Sequence, residues 1–384
     1  MNQNSCDVLI VGGGPAGLAA AIALRLQGAD VLVADALKPP IDKACGEGLM
    51  PDARRDLAAL GVDCEPGDGA RFRGVRFISW TGGEQVSAFA DFPSGEGLGM
   101  RRTVLHARMV ERAVELGVRL RWNTHVALGS GVSLNGEACR YSFLVGADGQ
   151  SSRVRAWAGL DRCRLISKRF GFRRHYRTSQ PGEFVDVHWC ALGQVYITPV
   201  ARGEVCVAVV TRHSATRMHE VLDAIPHLRE RFFGQPKSTG ERGALTTTRR
   251  LTRVTSGNVT LIGDASGSVD AVTGEGLAIG FRQARLLGRS LAEGSLDLYA
   301  AEHDSTLQMP RRMARGLLLA DQHPSMRSAA MRVLAASPKL CRGMLQVHMG
   351  EASLRQLVLR DGAAIVKGLL CPGISASDIE RAST

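Results

Sequence analysis

The stretch that decides the fold is CDVLIVGGGPAGLAAAIALRLQGADVLVAD, residues 6–35. Residues 7–11, which are apolar from Val8 onwards, are typical of a strand buried on both faces and lead directly into the G-x-G-x-x-G of residues 12–17. An apolar stripe predicts a helix over residues 18–27, and residues 31–34 predict a second buried strand. Strand, glycine-rich turn, helix and strand in this order are typical of a dinucleotide-binding βαβ unit.

Each glycine of this motif has a distinct physical role. Gly12 permits the tight turn, Gly14 lets the backbone approach a pyrophosphate, and Gly17 lets the helix pack close to the strand. The helix N-terminus supplies unpaired N–H groups for the pyrophosphate, and Asp35 stands where a carboxylate accepts ribose hydroxyls. The alternative is an ordinary turn, because 44 glycines in 384 residues produce such spacings by chance. The context favours a bound dinucleotide.

Composition limits the remaining choices. A chain of 384 residues predicts two or three domains, and 45% hydrophobic with 22% charged residues is ordinary for a globular protein. The first strand begins too close to Met1 to leave room for a signal peptide, and no apolar run reaches the ~18 residues of a membrane span, so we expect a cytoplasmic protein. Nine cysteines without C-x-x-C or H-E-x-x-H spacing predict reduced thiols and no metal.

The net charge of +11 indicates nucleic acid, an anionic membrane surface, or an anionic cofactor and substrate as partners. The densest basic run is KRFGFRRHYR, residues 168–177, whose alternation places Arg169, Gly171, Arg173 and His175 on one face of a strand. No recognised nucleic-acid-binding module accompanies the charge. We therefore expect no nucleic-acid partner.

Residues 43–51, KACGEGLMP, predict a loop in which glycines let the backbone approach a flat ligand or act as a hinge. Asp52 is placed to cap a helix that runs to residue 60. Cys45 is either a reactive thiol beside that ligand or a small buried apolar residue, and the second interpretation is favoured.

Strands over residues 75–80 and 85–89 leave the dinucleotide-binding pattern for a second layer. Thr103 is then predicted to cap a helix that returns to it. The region 161–253 is rich in β-branched runs and predicts an antiparallel sheet with a buried face, as expected of a substrate-binding layer.

A third motif follows in NVTLIGDA, residues 258–265, which predicts a buried strand ending on Asp264. Residues 273–278, TGEGLA, open a further helix. Its N-terminus is predicted to face the same crevice, with Asp264 accepting a polyol hydroxyl. The alternative is a plain strand–turn–helix with a capping acid.

Three stretches together resemble the flavoprotein hydroxylase superfamily, which includes aromatic hydroxylases, geranylgeranyl reductases and flavin-dependent halogenases. GGGPAG with Asp35 is similar to its adenosine-binding motif, GADGQSSRVR (residues 146–155) to its second motif, and GDASGSVDAVTGEGL (residues 263–277) to its third. The resemblance covers residues 1 to about 292 and implies FAD as the cofactor.

The resemblance also implies site residues. Asp148 and Gly149 would lie near the pyrophosphate and the nicotinamide path, Asp264 at the ribityl chain, and Gly276 and Leu277 at the flavin ring. Arg102 would lie against the ribityl-pyrophosphate and Val126 against adenine. The complete set predicted to bind FAD is Gly12, Gly14, Pro15, Ala16, Gly17, Asp35, Ala36, Cys45, Gly46, Arg102, Val126, Asp148, Gly149, Gly263, Asp264, Gly274, Gly276 and Leu277. No catalytic acid or base is assigned.

Departures from the family patterns bear on the reaction. The CGEG loop fits the geranylgeranyl reductases, but their Tyr-x-Trp-x-Phe-Pro motif is present only as YITP, residues 196–199. The halogenase Trp-x-Trp-x-Ile-Pro motif is absent, and Asp270-Ala271 stand where many hydroxylases have proline. A second G-x-G-x-x-G is also absent, which favours transient binding of NAD(P)H rather than a dedicated nicotinamide domain.

The predicted fold class is therefore α/β: a discontinuous Rossmann-like FAD-binding domain (1–70, 97–160 and 254–292), an antiparallel β-sheet substrate domain (71–96 and 161–253) and a helical C-terminal region (293–384). That last region alternates apolar stripes with arginines, which indicates either a helical cap with solvated arginines or a peripheral membrane contact. The first is favoured, and the oligomeric state is left open.

The predicted function is an FAD-dependent, NAD(P)H-using oxidoreductase that acts on a lipophilic or aromatic small molecule, such as a polyketide or isoprenoid. Hydroxylation is favoured over ene-reduction, because the reductase's aromatic motif is missing. An alternative of another class is a flavin-binding partner protein without turnover.

Overall fold

The computed structural model of the protein describes residues 4–81 and 84–370. Within them the strands are β1 (Ser5–Val11), β2 (Val31–Ala34), β3 (Gly48–Leu49), β4 (Ala70–Phe72), β5 (Gly74–Thr81), β6 (Glu84–Asp91), β7 (Gly97–Gly99), β8 (Arg119–Arg121), β9 (Val126–Leu128), β10 (Val132–Leu134), β11 (Glu137–Ala138), β12 (Arg140–Gly146), β13 (Cys163–Arg177), β14 (Phe184–Cys190), β15 (Gly193–Ala201), β16 (Glu204–Thr211), β17 (Arg242–Leu251), β18 (Thr255–Ser256) and β19 (Val259–Leu261). The α-helices are α1 (Pro15–Leu26), α2 (Pro51–Ala59), α3 (Arg102–Glu115), α4 (Arg153–Trp157), α5 (Met218–Asp223), α6 (Pro226–Phe232), α7 (Gly276–Ala292), α8 (Asp297–Glu302), α9 (Ser305–Gln322), α10 (Pro324–Ala336), α11 (Pro338–His348) and α12 (Leu354–Leu370).

The first layer is a six-stranded sheet in the order β18-β19-β12-β1-β2-β8. Its strands are parallel except for the β18–β19 pair, and Leu9 of β1 lies opposite Leu32 on one side and Leu144 on the other. Val8 and Ile10 pack into a core with α1, α3 and α7, while Leu9 packs on the opposite face towards β9 and β10. The predicted doubly covered parallel sheet is confirmed.

Three predicted helix starts were misplaced. α1 begins at Pro15 rather than residue 18, and α2 begins at Pro51 with Met50 in the capping position instead of Asp52. Proline at the first helical position has φ already set for a helix and lacks an N–H that would go unpaired there. Thr103 does not cap α3, because that helix begins one residue earlier, at Arg102.

The second layer is a seven-stranded sheet in the order β17-β13-β16-β15-β14-β5-β6. It is antiparallel as predicted, with one exception: β5 and β14 pair in parallel. β5 and its partner β6 come from an earlier segment of the chain than the other strands of this sheet. They join the edge of the sheet through the pairing of β5 with β14. β13 is long, with 15 residues, and pairs with both β16 and β17.

The C-terminal helices α10 and α11 pack on the sheet edge formed by β5 and β6, and α9 and α12 pack on these two helices. Cys341, Leu345 and Met349 share an apolar cluster with Phe72 of β4 and Val187 of β14. This part of the chain is a helical cap, and Arg312, Arg315 and Arg342 on its outer face are exposed. Residues 371–384, which the predicted C-terminal region included, lie outside the described residues.

A buried ion network connects the layers. The guanidinium of Arg169 on β13 is 2% exposed, and its Nη2 lies 2.9 Å from Asp321 of α9 while its Nε lies 3.2 Å from Asp270. Asp270 also accepts hydrogen bonds from Ser167 and from the backbone N–H of Val272. The seven-stranded sheet, the third sequence motif and the C-terminal helices are therefore joined through one cation.

Replacing Arg169 with alanine leaves two buried carboxylates without their common cation. We expect a loss of about 3–5 kcal/mol in the free energy of unfolding, since breaking a buried ion pair strands an uncompensated charge. Urea titration followed by tryptophan fluorescence measures the change. The exposed pair of Arg289 and Glu302 supplies the control, because Arg289→Ala should cost about 1 kcal/mol or less. Equal losses in the two variants would show that the network does not hold the layers together.

Candidate active site

A single large cavity of about 1000 Å³ lies where the two sheets and the C-terminal helices meet. Its wall contains every residue predicted to bind FAD except Gly17. Sequence segments that lie as far apart as residues 12 and 277 are therefore brought to one surface. The contacts below show what each part of this wall can do.

The turn between β1 and α1 is closed by backbone packing. Gly12 has φ +112°, and a Cβ atom there would lie 2.4 Å from the carbonyl oxygen of Ala147. A Cβ on Gly17 would lie 1.9 Å from the carbonyl oxygen of Gly12, which explains why Gly17 lies behind the wall and not on it. At Gly14 a Cβ would meet nothing within 4 Å, so the open side of the turn faces the cavity. The first free N–H groups of α1 are thus accessible to an anion.

Asp35, at the end of β2, is held by this turn. Its Oδ2 accepts a hydrogen bond from the N–H of Gly13 at 2.7 Å, and its Oδ1 accepts one from the N–H of Leu37 at 2.7 Å. Each carboxylate oxygen keeps a lone pair for a further donor. Asp35, Ala36 and Val126 lie together on the wall, where the adenosine half of a dinucleotide was predicted.

Arg102, the first residue of α3, gives the strongest indication of which cofactor fits the cavity. The side chain is 7% exposed, and Nη1 has no hydrogen-bond partner among the described residues. Burial lowers the pKa of the guanidinium, but arginine stays charged in proteins. A buried cation on a cavity wall with an unused N–H donor requires an anion, and a pyrophosphate between Arg102 and the α1 N-terminus meets that requirement. The residues present therefore fit FAD.

The third motif borders the same cavity. Gly263 (φ +60°) follows β19, and Asp264 lies beside Lys43, whose Nζ is 3.1 Å from its Oδ2. Both side chains are partly exposed, so this ion pair is weak and leaves Asp264 free to accept a ligand hydroxyl. Gly274, Gly276 and Leu277 lie on the wall where α7 begins.

Asp148 has a structural function that the resemblance did not predict. Its carboxylate accepts hydrogen bonds from the hydroxyl of Ser152 and from the N–H groups of Arg153 and Val154 at 2.7 and 3.1 Å. Asp148 thus satisfies free N–H groups at the start of α4. Gly149, with φ +79°, turns the chain between them. Both residues lie on the cavity wall, and their contact with a cofactor stays a prediction.

The loop of residues 43–48 lies on the wall as well, and its anchor is a residue that the sequence did not single out. Glu47 has φ +59°, an uncommon conformation for a residue with a side chain, and is 2% exposed. Its Oε2 lies 2.6 Å from His175 Nε2, and its Oε1 accepts a hydrogen bond from the N–H of Arg102 at 3.0 Å. The acid between two glycines in CGEG was the available signal. Glu47 therefore fixes the loop to β13 and to the start of α3.

The basic run of β13 faces inward. Arg169, Arg173 and His175 are each at most 2% exposed, in line with the predicted alternation, and Arg173 pairs with Asp42 and approaches Glu47 Oε1 at 3.6 Å. Buried charges of this kind require partners, and these partners are intramolecular. Much of the densest positive charge in the sequence is thus used inside the fold.

Glu47, His175 and Cys206 bring a carboxylate, an imidazole and a thiol within 4.8 Å of one another. No spacing in the sequence predicts this cluster. His175 Nδ1 lies 2.9 Å from Thr239 Oγ1, and burial raises the pKa of the Cys206 thiol well above its usual value. The cluster therefore consists of a neutral thiol and a hydrogen-bonded acid–imidazole pair.

Cys45 is half-buried on the wall, and its Sγ accepts a hydrogen bond from the N–H of Glu47 at 3.4 Å. Burial raises the pKa of the Cys45 thiol. The residue is therefore a neutral thiol at physiological pH and lacks the thiolate character of a nucleophile.

We call the wall residues predicted to bind FAD the cradle. Beyond the cradle, the cavity continues as an apolar chamber. The chamber residues come from β4, β5, β14, α9, α10 and α11: Phe72, Phe77, Trp189, Leu317, Leu334 and Leu345. The last three belong to the helices for which the sequence offered no motif. A chamber of this composition suits a lipophilic or aromatic ligand.

Together, the cradle and the chamber define a class of protein, the FAD-dependent oxidoreductases. The chain belongs to the FAD binding domain family, whose model matches residues 5–297. The resemblance predicted from the three motifs is thereby confirmed, and the protein is an enzyme of this class.

Individual relatives agree with this assignment. The chain is 29% identical over 349 residues to a menaquinone reductase of Mycobacterium tuberculosis strain H37Rv, covering 81% of this chain and 84% of that protein. It is 26% identical over 340 residues to digeranylgeranylglycerophospholipid reductase 1 of Methanopyrus kandleri, covering 78% and 82%. A flavoprotein/dehydrogenase of Cytophaga hutchinsonii has the same fold, with a TM-score of 0.77, 18% identity and coverage of 99% and 100%.

As to membranes, each helix in the described part of the chain is too short or too polar to span a bilayer.

Removal of the Asp264 carboxylate should specifically weaken the binding of FAD. If Asp264 accepts a ribityl hydroxyl, Asp264→Ala leaves a ligand donor unpaired and lowers FAD affinity by about 1–3 kcal/mol. Titration of apoprotein with FAD, followed by flavin fluorescence, measures this. Asp223→Ala, at an exposed position on α5, is the matched control and should bind FAD as the wild type does. Identical affinities for the two variants would mean that the third motif does not hold the ribityl chain.

Proposed function

We propose that the protein uses FAD to reduce a carbon–carbon double bond in a lipophilic molecule of the polyprenyl type. The observation that carries the proposal is the apolar chamber, which continues directly from the cradle and is closed by the C-terminal helices. An extended hydrocarbon ligand would bury its surface there with little need for polar partners.

Two further observations support reduction over hydroxylation. The CGEG loop, which resembles that of geranylgeranyl reductases, lies on the wall of the same cavity. The two curated relatives described above are named as reductases, and they align with about four fifths of this chain. The missing aromatic motif of the reductases favoured hydroxylation. The proposed reaction is instead the alternative, reduction of a double bond.

Within this proposal the chain's residues hold the cofactor and exclude water. The turn of residues 12–17, Asp35 and Arg102 would bind the adenosine diphosphate half, and Asp264 the ribityl chain. FAD, when bound, accepts two electrons from a reduced nicotinamide and passes a hydride equivalent to the substrate. NAD(P)H as the transient reductant is part of the proposal. The chamber wall orients the ligand and keeps water from the reacting bond.

Hydroxylation is the second candidate, and one contact favours it. Tyr196 of the shortened YITP motif donates its hydroxyl hydrogen bond to Gln194 Oε1 at 2.8 Å or to the carbonyl oxygen of Val272 at 2.9 Å. The Tyr196 hydroxyl thus contacts Val272, in the segment that precedes α7. Of the three aromatic residues of the reductase motif, this chain has only the tyrosine. A polar group on the cavity wall would suit an aromatic substrate that carries a hydroxyl group.

The two reactions differ in their need for oxygen. Holoenzyme reduced with NADPH under anaerobic conditions should convert geranylgeraniol to a product two hydrogens heavier, detected by mass spectrometry. p-Nitrophenol under ¹⁸O₂ serves as the comparison substrate. A product that carries ¹⁸O, with no anaerobic gain of hydrogen on geranylgeraniol, would replace the reductase proposal with the hydroxylase one.

Cys45 should have only a packing role in either reaction. Because its thiol is neutral and half-buried, Cys45→Ser is expected to leave turnover within about tenfold of the wild type, or ~1.4 kcal/mol of barrier. Steady-state consumption of NADPH measures this. A fall of about 10²-fold with an intact flavin spectrum would instead assign the thiol to proton transfer.

A further inference from the structure

Glu275, immediately before α7, is an acid whose environment the cofactor motifs do not explain. Its side chain is 1% exposed, and neither carboxylate oxygen has a hydrogen-bond partner among the described residues. The residue lies on the cavity wall between Gly274 and Gly276. A charged carboxylate in such a place is strongly disfavoured, so Glu275 is either neutral or completed by what the cavity receives.

Three titratable or charged side chains from three helices surround Glu275. Asp52 of α2 contributes negative charge, and Arg282 of α7 is engaged by Asp52 at 3.1 Å. His348, the last residue of α11, places Nδ1 3.6 Å from Glu275 Oε2. Burial, followed by the charge of Asp52, raises the pKa of Glu275 to about 8. Burial lowers the pKa of His348 to about 4, so at neutral pH the pair is a carboxylic acid beside a neutral imidazole.

On the basis of the reductase function proposed above, we propose that Glu275 is the proton donor of the reaction and that His348 is the positioning residue that returns the proton to it. Double-bond reduction requires a hydride equivalent and a proton. The hydride forms one C–H bond, the π electron pair of the alkene forms the other with the proton of Glu275, and the carboxyl O–H bond breaks. The resulting carboxylate takes a proton from His348 Nδ1, and the imidazole takes one from water at Nε2.

The pair joins two parts of the chain. Glu275 lies where the third motif meets α7, and His348 lies beyond residue 297, where the family match ends. Both residues line the same cavity, which places the acid at the wall that a bound ligand would contact. A neutral acid in an apolar site is the protonation state that donation requires.

Infrared difference spectroscopy tests the protonation state without turnover. Spectra of the FAD-loaded protein at pH 6 and pH 10 should differ by the C=O stretch of one protonated carboxyl that Glu275→Gln lacks. Glu293→Gln, at an exposed position after the same helix, should keep the band. Indistinguishable spectra for the wild type and Glu275→Gln would overturn the proposal.

Stability gives a second readout, with a defined sign. Between pH 4.5 and about 8 the folded state binds the Glu275 proton while the unfolded state has released it, so Glu275 lowers stability as pH rises through this window. The thermal midpoint of Glu275→Gln should therefore rise relative to the wild type from pH 5 to pH 9. A difference that does not change with pH would contradict a neutral Glu275.

Turnover tests the donor role itself. Dithionite-reduced holoenzyme is mixed anaerobically with geranylgeraniol, and flavin reoxidation is followed by absorbance. Glu275→Gln should be slower by about 10²-fold or more with an unchanged flavin spectrum, while Glu293→Gln matches the wild type. His348→Ala should be slowed and partly rescued by added imidazole. Wild-type rates in Glu275→Gln would refute the donor while leaving the reductase function intact, whereas a wild-type flavin that geranylgeraniol does not reoxidise would refute the reductase function and leave the infrared result standing.

Discussion

The constraint on which this structure depends is the neutralisation of positive charge inside the seven-stranded sheet. β13 carries Arg169 and Arg173 on its inward face, both nearly inaccessible to water. Each of their partners comes from a different part of the chain: Asp270 from the third motif, Asp321 from α9 and Asp42 from the segment before the CGEG loop. Since a buried cation without its counter-ion is prohibitively costly, these pairs fix the cradle, the sheet and the cap relative to one another.

Two ionisable side chains on the cavity wall have polar atoms without a hydrogen-bond partner among the described residues. They are Arg102, through Nη1, and Glu275, through both carboxyl oxygens. The two side chains differ in how they respond to burial. Arginine stays charged and therefore requires an anion, which FAD supplies, whereas a glutamic acid adapts by keeping its proton. The first group suits binding, and the second suits proton transfer.

Short sequence patterns predicted those parts of the fold whose residues lie close together in the sequence. β1, α1 and β2 follow from hydrophobic periodicity and a glycine spacing within 30 residues, and the predicted wall residues do converge on one cavity. Pairings between distant residues leave no such pattern. Glu47 and His175 are 128 positions apart, and Arg169 and Asp321 are 152 apart. Asp270, which in sequence is only a departure from a proline, is the buried centre of such a network. Asp148 likewise reads as a cofactor residue, although its observed hydrogen bonds cap a helix.

The division between the family match and the C-terminal helices has a consequence for specificity. The cradle is built within residues 5–297 and meets the requirements of a cofactor that many enzymes share. Leu317, Leu334, Leu345 and His348 close the chamber from outside that region. Groups that contact the cofactor are constrained by its fixed shape, but groups that contact only the substrate are free to vary with it. Under the proposed function, α9 to α11 would therefore contribute to the choice of substrate together with Phe72, Phe77 and Trp189 of the strands.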